Sequence, residues 1–270
     1  MAWHLLPGEL RNRIYEYALT EPGGLLYYKH EGAGRLCAYR HAQEKEDGGE
    51  EIKATNQLQY VNCELRAETK GLGLCFNNIT FEPASEDDLF EDCVQFLNEV
   101  SIRQRSRLRS LTITVYGRQR VLHFADSRWY PLLHNFAKDY PDCQIRICTD
   151  GLSQGSNYLI YRAVLLAVIT RRDDETRRGL SIFTAMTQDL LLGELKRKYP
   201  QFFVEEYLSL IGGPVAPNIR FFPADLVFKP DMFRSTLQRS KGFTDLIASS
   251  IAGGMDAWME RAQEIYEGGI

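Results

Sequence analysis

The sequence predicts an α/β fold: a small, mainly parallel sheet with crossover helices, N-terminal helices, and a helical C-terminal half packed on the sheet. The first observation is that strand-like and helix-like patterns follow one another between residues 78 and 149. Strand, helix, strand, helix, strand is the order that right-handed parallel crossovers produce. The second is that apolar residues beyond Thr149 recur mainly at helical spacing. The third is a composition of 44% hydrophobic and 25% charged residues, which can fill a sizeable core.

The N-terminal segment predicts a helix that begins at Pro7. Proline suits the first helical position, because its missing N–H would be unpaired there anyway. Glu9 lies in the first turn, where the helix dipole favours a carboxylate. Leu10, Ile14 and Tyr17 recur at i, i+4 and i+7, and this spacing predicts that they form one buried face.

A hairpin and a second helix are predicted next. Residues 25–29 and 35–39 have the character of short strands around a glycine-containing turn. Thr55 is a suitable N-cap for a helix with one apolar face formed by Leu58, Val61, Leu65 and Leu72.

The two predicted helices share a Glu-x-Arg triplet. It reads Glu9-Leu10-Arg11 in the first helix and Glu64-Leu65-Arg66 in the second. We hypothesise reciprocal ion pairs, with Glu64 meeting Arg11 and Arg66 meeting Glu9. Such pairs would fix helix register more than they add stability, since exposed pairs contribute about 0–1 kcal/mol.

The chain is expected to divide into three parts that form one compact unit. Residues 1–82 form a helical module with a hairpin, residues 83–150 an α/β layer, and residues 151–270 the mainly helical half. Within that half, helices are predicted over 157–170, 180–199, 202–211, 243–251 and 255–266, with a strand over 219–228.

The N-terminal triplets also carry a family resemblance. The segment LPGELRNRIY at residues 6–15 resembles the opening of fungal F-box-like proteins and of the related fungal double-ExR family. The segment NCELRAET at 62–69 is similar to the second half of that signature, and FNNITF at 76–81 to the strand that follows it. The resemblance implies a protein-interaction module, because the first helix of true F-box proteins docks on the adaptor of a cullin-type ubiquitin ligase. The alternative is that both helices only pack the core.

A serine loop is the candidate for chemistry. Gly151-Leu152-Ser153-Gln154-Gly155 is a G-x-S-x-G motif between a predicted strand and a predicted helix. An α/β-hydrolase needs its catalytic histidine after the serine, whereas all five histidines precede residue 153, so a hydrolase is disfavoured.

The same loop resembles the Gly-x-Ser loop of tRNA-dependent cyclodipeptide synthases, whose serine accepts an aminoacyl group from tRNA. The segment FFVEEYL at 202–208 is loosely similar to the helix that carries their carboxylate. The resemblance implies an aminoacyl transferase with Ser153 as nucleophile, Glu206 or Glu205 as carboxylate and Tyr207 beside them. The alternative is a capping loop ahead of a buried helix.

Residues 102–120 contain six arginines and no aspartate or glutamate. These arginines form a candidate binding surface for RNA or another partner; they are Arg103, Arg105, Arg107, Arg109, Arg118 and Arg120. They are predicted either to form a solvated face or to hold a nucleic-acid backbone. If the chain is an aminoacyl transferase, the nucleic acid bound by these arginines would be aminoacyl-tRNA.

The sequence disfavours several classes of protein. The net charge of −4 gives no global footprint for nucleic acid. The longest apolar run, residues 159–169, is interrupted by Arg162 and far shorter than the roughly twenty residues that cross a bilayer. No signal peptide, metal-ligand spacing or nucleotide fingerprint is evident, so we expect an intracellular protein with reduced thiols and without metal or cofactor.

Overall fold

The computed structural model describes residues 5–30, 33–39, 56–82, 90–116, 127–155, 159–170, 173–183, 188, 193, 196–197, 215–225, 227–239 and 253–270. It confirms the α/β fold: the strands form one six-stranded, mostly parallel sheet in the order β2-β1-β3-β4-β5-β6. The strands are β1 (Leu25–His30), β2 (Ala33–Ala38), β3 (Asn78–Phe81), β4 (Ser110–Val115), β5 (Gln144–Thr149) and β6 (Ile219–Pro223).

The helices are numbered in chain order over the described residues. They are α1 (Gly8–Leu19), α2 (Cys63–Thr69), α3 (Gly73–Phe76), α4 (Glu91–Glu99), α5 (Ile102–Arg105), α6 (Tyr130–Asp139), α7 (Leu159–Thr170), α8 (Asp173–Ser181), α9 (Pro230–Gln238) and α10 (Gly254–Gly268). Within the described part of the chain, no helix combines the length and the apolar character needed to span a bilayer.

The predicted hairpin is confirmed, and strands form where they were predicted, although the strand predicted over 219–228 ends at Pro223. Strands β1 and β2 pair antiparallel, with Leu25 opposite Ala38, while β1–β3 and β3–β4 pair parallel. In β4 the alternation of Leu111, Ile113 and Val115 buries all three side chains, as a strand with one covered face requires.

The second predicted helix is divided. A 3-10 turn covers Gln57–Tyr60, and α2 then starts afresh because the Asn62 side chain accepts a hydrogen bond from the Leu65 N–H. Val61, predicted on the buried face, is exposed, whereas Leu65 is buried. An asparagine cap in the middle of the periodic pattern turned the chain and moved Val61 off that face.

Four helices, α3, α5, α8 and α9, were not predicted from the apolar spacing. Helix α9 begins with Pro230 at its first turn, and α8 has three acids in its first turn and Arg178 in its last. Both patterns are favourable helix-start signals in their own right. The helices predicted over 202–211 and 243–251, and most of the one over 180–199, lie outside the described residues.

The chain divides into two compact units, residues 1–113 with 139–145, and residues 114–138 with 146–270. In the first unit, Tyr15, Leu19 and Leu65 form a buried cluster with Leu58, Leu72 and Phe76 packed against it. A second group, Tyr27, Phe81 and Phe96, makes mutual ring contacts with centroids 5.4–5.5 Å apart. The first cluster joins α1 to α2, and the second joins β1 and β3 to α4.

The second unit is built around α7, which is buried along most of its length. Arg261 of α10 is buried and pairs with Glu175 of α8 at 3.2 Å and with Glu264 at 2.6 Å. The chain end is held against β6, because Phe221 and Ile270 exchange backbone hydrogen bonds at 3.0 Å. The charge of Arg261 is thus balanced inside the unit, as a buried cation requires.

Candidate functional site

Helix α1 carries apolar side chains on two different faces. We define the outer face as Leu10, Ile14 and Tyr17, whose exposed fractions are 48%, 40% and 91%. The prediction that these three residues form a buried face is therefore wrong. Tyr15 and Leu19, on the inner face, are the buried apolar residues of the helix.

The inner face of α1 is anchored to α2. The Tyr15 ring and Leu19 pack on Leu65, the Tyr15 hydroxyl donates to Glu68, and Arg11 Nη1 lies 2.8 Å from Glu68 Oε1. One carboxylate thus receives both a guanidinium and a phenol from α1. This anchoring leaves the outer face on the opposite side of the helix, in water.

The predicted Glu-x-Arg pairing needs correction. Arg11 was expected to meet Glu64, but its partner is Glu68, one helical turn further along α2. Glu9, Glu64 and Arg66 are exposed, and no ion pair joins Glu9 to Arg66 within the described residues. The register follows from Tyr15 and Leu65 packing together, which brings the C-terminal turn of α2 to Arg11.

A buried asparagine fixes the end of α1. Asn77 Nδ2 donates to the Leu19 carbonyl at 2.6 Å and to the Gly73 carbonyl at 2.8 Å, and its Oδ1 accepts from the Glu21 N–H at 2.7 Å. These bonds satisfy backbone groups that a helix end leaves unpaired. The sequence offered no signal for this role.

The serine loop lies at the carboxyl end of β5, in the second unit. The Thr149 hydroxyl caps the turn by accepting from the Gly151 N–H at 3.1 Å. Ser153 Oγ donates to Asp225 Oδ2 at 3.3 Å and accepts from the Gly155 N–H at 3.2 Å. Asp225 follows β6 and was not identified from the sequence, since no local motif marks it.

Gln154 and Tyr266 close the loop from the other side. The Gln154 N–H donates to the Tyr266 hydroxyl at 2.7 Å, and its side chain bridges the Val227 carbonyl and the Lys229 N–H. Burial raises the pKa of Tyr266, and a hydrogen bond to Asp225 raises it further, while the Gln154 N–H acts in the opposite direction. Tyr266 therefore stays protonated at neutral pH.

The rest of the predicted catalytic set is not placed. Glu205, Glu206 and Tyr207 lie outside the described residues, so their relation to Ser153 stays a prediction. The carboxylate that the structure brings to Ser153 is Asp225.

The predicted arginine surface is described in part. Arg103 and Arg109 are exposed and Arg107 is half-exposed, whereas Arg105 turns back and donates from Nε to the Val100 carbonyl at 3.0 Å. Arg118 and Arg120 lie outside the described residues.

Thiols and acids do not gather into a metal centre in the described part of the chain. Cys63 is exposed, Cys75 is half-buried, and the other four cysteines are buried. No group of three or more His, Cys, Asp or Glu that could hold a metal ion occurs among the described residues.

Comparison with known proteins found no match to the chain among family models, curated proteins or solved structures.

Proposed function

We propose that the chain is an intracellular F-box-like, double-ExR protein that binds a protein partner through the outer face of α1. The partner that the resemblance implies is the adaptor of a cullin-type ubiquitin ligase. The observation that carries the proposal is the exposure of Leu10, Ile14 and Tyr17 on a helix whose inner face is fully engaged.

The energetics favour a partner for this face. Fully burying a leucine, isoleucine or aromatic side chain is worth about 1.5–3 kcal/mol. Folding of the chain leaves the outer face exposed, so this burial energy is not gained there. Tyr15, Leu19 and Arg11 already hold α1 in place through the inner face. Exposed Glu9, Arg13 and Glu16 lie along one side of the apolar residues and give the face a charged edge, as protein interfaces have.

Helix-in-groove docking uses anchors at the spacing found here. An amphipathic helix places residues at i, i+4 and i+7 into an apolar groove of its partner. Leu10, Ile14 and Tyr17 have this spacing, and Leu5, just before the start of α1, is also exposed. The inner-face anchoring holds α1 in one orientation, which lowers the entropic cost of binding.

Calorimetric titration of the ligase adaptor into the purified chain tests the proposal. We expect saturable binding by the wild type and at least a tenfold weaker Kd for the double variant Ile14→Ser, Tyr17→Ser, because central apolar anchors dominate such interfaces.

The matched control is the double variant Leu132→Ser, Met232→Ser. These residues lie on α6 and α9 and are exposed to 48% and 43%, comparable with Leu10 and Ile14. It should bind the adaptor like the wild type. Equal loss in both double variants, or no binding by the wild type, would contradict the proposal.

A second candidate function is aminoacyl transfer from aminoacyl-tRNA at Ser153. The hydrogen bond from Ser153 Oγ to Asp225 supports it, since a serine nucleophile needs a proton acceptor. The hydroxyl would attack the ester carbonyl, the Ser Oγ–acyl bond would form, and the tRNA 3′-hydroxyl would leave with the proton that Asp225 received.

Incubation with charged tRNAs and mass spectrometry separates the two functions. The enzyme proposal predicts an aminoacyl product or acylated protein that Ser153→Ala abolishes and Cys63→Ala retains. If neither is found with wild-type protein, the Ser153–Asp225 bond is a structural link of the loop.

A further inference from the structure

A cluster of cations lies on the first unit, formed by two segments that are distant in sequence. We call it the basic patch; it consists of Arg66, Lys70, Arg103, Arg107 and Arg109. Two close approaches bring the segments together. A Cβ added at Gly71, directly after Lys70, would lie 2.7 Å from Gln104 Nε2 of α5, next to Arg103. The turn that ends α2 therefore packs on α5.

The second approach joins α3 to the start of β4. Burial raises the pKa of the Cys75 thiol, and the positive charges of Arg107 and Arg109 lower it. Arg107 also stays at the end of α5, since its N–H donates to the Gln104 carbonyl at 3.0 Å. The end of α2 and the segment from α5 to the start of β4 are therefore neighbours.

The cations of the patch are not neutralised by described neighbours. Arg66, Lys70, Arg103 and Arg109 are exposed, and within the described residues none of the five forms an ion pair with a carboxylate. Glu68, the nearest acid of α2 to Lys70 in sequence, is engaged by Arg11 and Tyr15. Residues 100–125 contain no aspartate or glutamate.

The patch has a defined boundary. The Gln144 N–H donates to the Arg109 carbonyl at 2.9 Å, which brings the turn that carries Asp142 to the end of the patch at Arg109. At the other end, exposed Ile102 adjoins Arg103. Arg105 does not contribute a free guanidinium, since it caps Val100.

We propose that the basic patch of Arg66, Lys70, Arg103, Arg107 and Arg109 binds the phosphate backbone of single-stranded RNA. None of these five residues belongs to the outer face of α1 or to the serine loop, so the proposal goes beyond both functions proposed above.

The composition of the patch favours a phosphate polymer. Four of its five cations are arginines, whose planar guanidinium groups pair with phosphate oxygens in a two-pronged geometry. Because the net charge of the chain is −4, binding of a polyanion requires a local basic surface such as this one.

The neighbouring side chain favours RNA over a lipid surface. Ile102 offers one apolar contact for an unstacked base, whereas surface binding to a bilayer uses an amphipathic helix with a long apolar face. Helix α5 has four residues and is too short for that role.

Fluorescence anisotropy with a fluorescein-labelled uridine oligonucleotide tests the proposal on the full chain. We expect binding whose affinity falls as salt rises, with a slope of about 0.7 per phosphate contact in a log–log plot. The variant Arg103→Gln, Arg107→Gln, Arg109→Gln should lose at least tenfold in affinity at low salt and reduce the slope by roughly 2.

A charge-matched control and a charge-retaining variant complete the design. Arg35→Gln, Arg234→Gln, Arg239→Gln removes three exposed arginines elsewhere and should retain the wild-type affinity within twofold. Replacing Arg103, Arg107 and Arg109 by lysine should restore part of the salt-dependent binding. Circular dichroism spectra equal to the wild type establish that each variant folds.

Three results would overturn the proposal. One is no binding of the oligonucleotide by the wild type at low salt. Another is an equal loss in the control variant. The third is displacement of the oligonucleotide from the wild type by phosphatidylserine vesicles or by polyglutamate, with tighter binding than RNA. Tighter binding of the vesicles would assign the patch to a lipid, and tighter binding of polyglutamate would assign it to an acidic protein.

Discussion

Helices α1 and α7 have the same length, twelve residues, and opposite environments. In α7 nine residues are buried, and its apolar side chains point in almost every direction. In α1 only Tyr15 and Leu19 are buried, and three large apolar side chains, Leu10, Ile14 and Tyr17, face water. Helix α7 therefore serves the core of its unit, whereas the outer face of α1 contributes little to the packing of the fold.

The largest expected effect separates a leucine of α7 from one of α1. Leu166→Ala should lower the free energy of unfolding by about 2–5 kcal/mol, because Leu166 is fully buried and its truncation leaves a cavity. Leu10→Ala should change it by less than about 1 kcal/mol, since Leu10 is half-exposed. Urea unfolding of both variants measures the contrast, and equal losses would remove the distinction between the helices.

The next largest effect on stability is expected at the ion pair between Glu175 and Arg261. Glu175→Ala removes one of the two carboxylates that face buried Arg261, and we expect a loss of about 2 kcal/mol because the cation keeps Glu264. The control Asp173→Ala alters an exposed acid of the same helix and should cost under about 0.5 kcal/mol. Thermal unfolding by calorimetry measures both, and no difference between them would contradict the role of Arg261.

A somewhat smaller loss of stability is expected when Asn77, which fixes the end of α1, is replaced. Asn77→Ala leaves the Leu19 and Gly73 carbonyls and the Glu21 N–H without their side-chain partner, which should cost about 1–2 kcal/mol. Exposed Asn12, on the same helix, provides the control: Asn12→Ala should be neutral or slightly stabilising. If chemical denaturation shows equal effects, the inner face alone holds α1.

The smallest effect concerns the corrected pairing of α1 with α2. A double-mutant cycle with Arg11→Gln and Glu68→Gln should give a coupling energy of about 0.2–1 kcal/mol, as expected for a half-exposed pair. The parallel cycle with Glu64→Gln should give none. Coupling of Arg11 to Glu64 instead would restore the pairing that the Glu-x-Arg triplets suggested.

Periodicity predicted β4 well because that strand alternates strictly between buried and partly exposed side chains. The alternation of Leu111, Ile113 and Val115 could be satisfied in only one way. Helix α1 has apolar residues on two faces, one with Leu10, Ile14 and Tyr17 and one with Tyr15 and Leu19. Spacing alone could not determine which face meets the core, since that choice depends on Leu65 and Asn77 from other elements.

The candidate sites were predictable to different degrees for the same reason. The glycine and serine spacing of residues 151–155 marked the loop itself, because turn chemistry is local. The groups that hold it lie far along the chain: Asp225 is 72 residues from Ser153, and Tyr266 is 112 residues from Gln154. Neither stands at a spacing that a helix or strand would produce, so only the tertiary fold brings them together.

Amide hydrogen exchange of the chain, alone and with the ligase adaptor, tests most directly whether the outer face of α1 is a docking surface. Adding the adaptor should slow exchange across residues 8–19 and leave residues 159–170 of α7 unchanged, because α7 is already buried. Unchanged exchange in α1 at saturating adaptor, or protection confined to other segments, would contradict a docking role for α1.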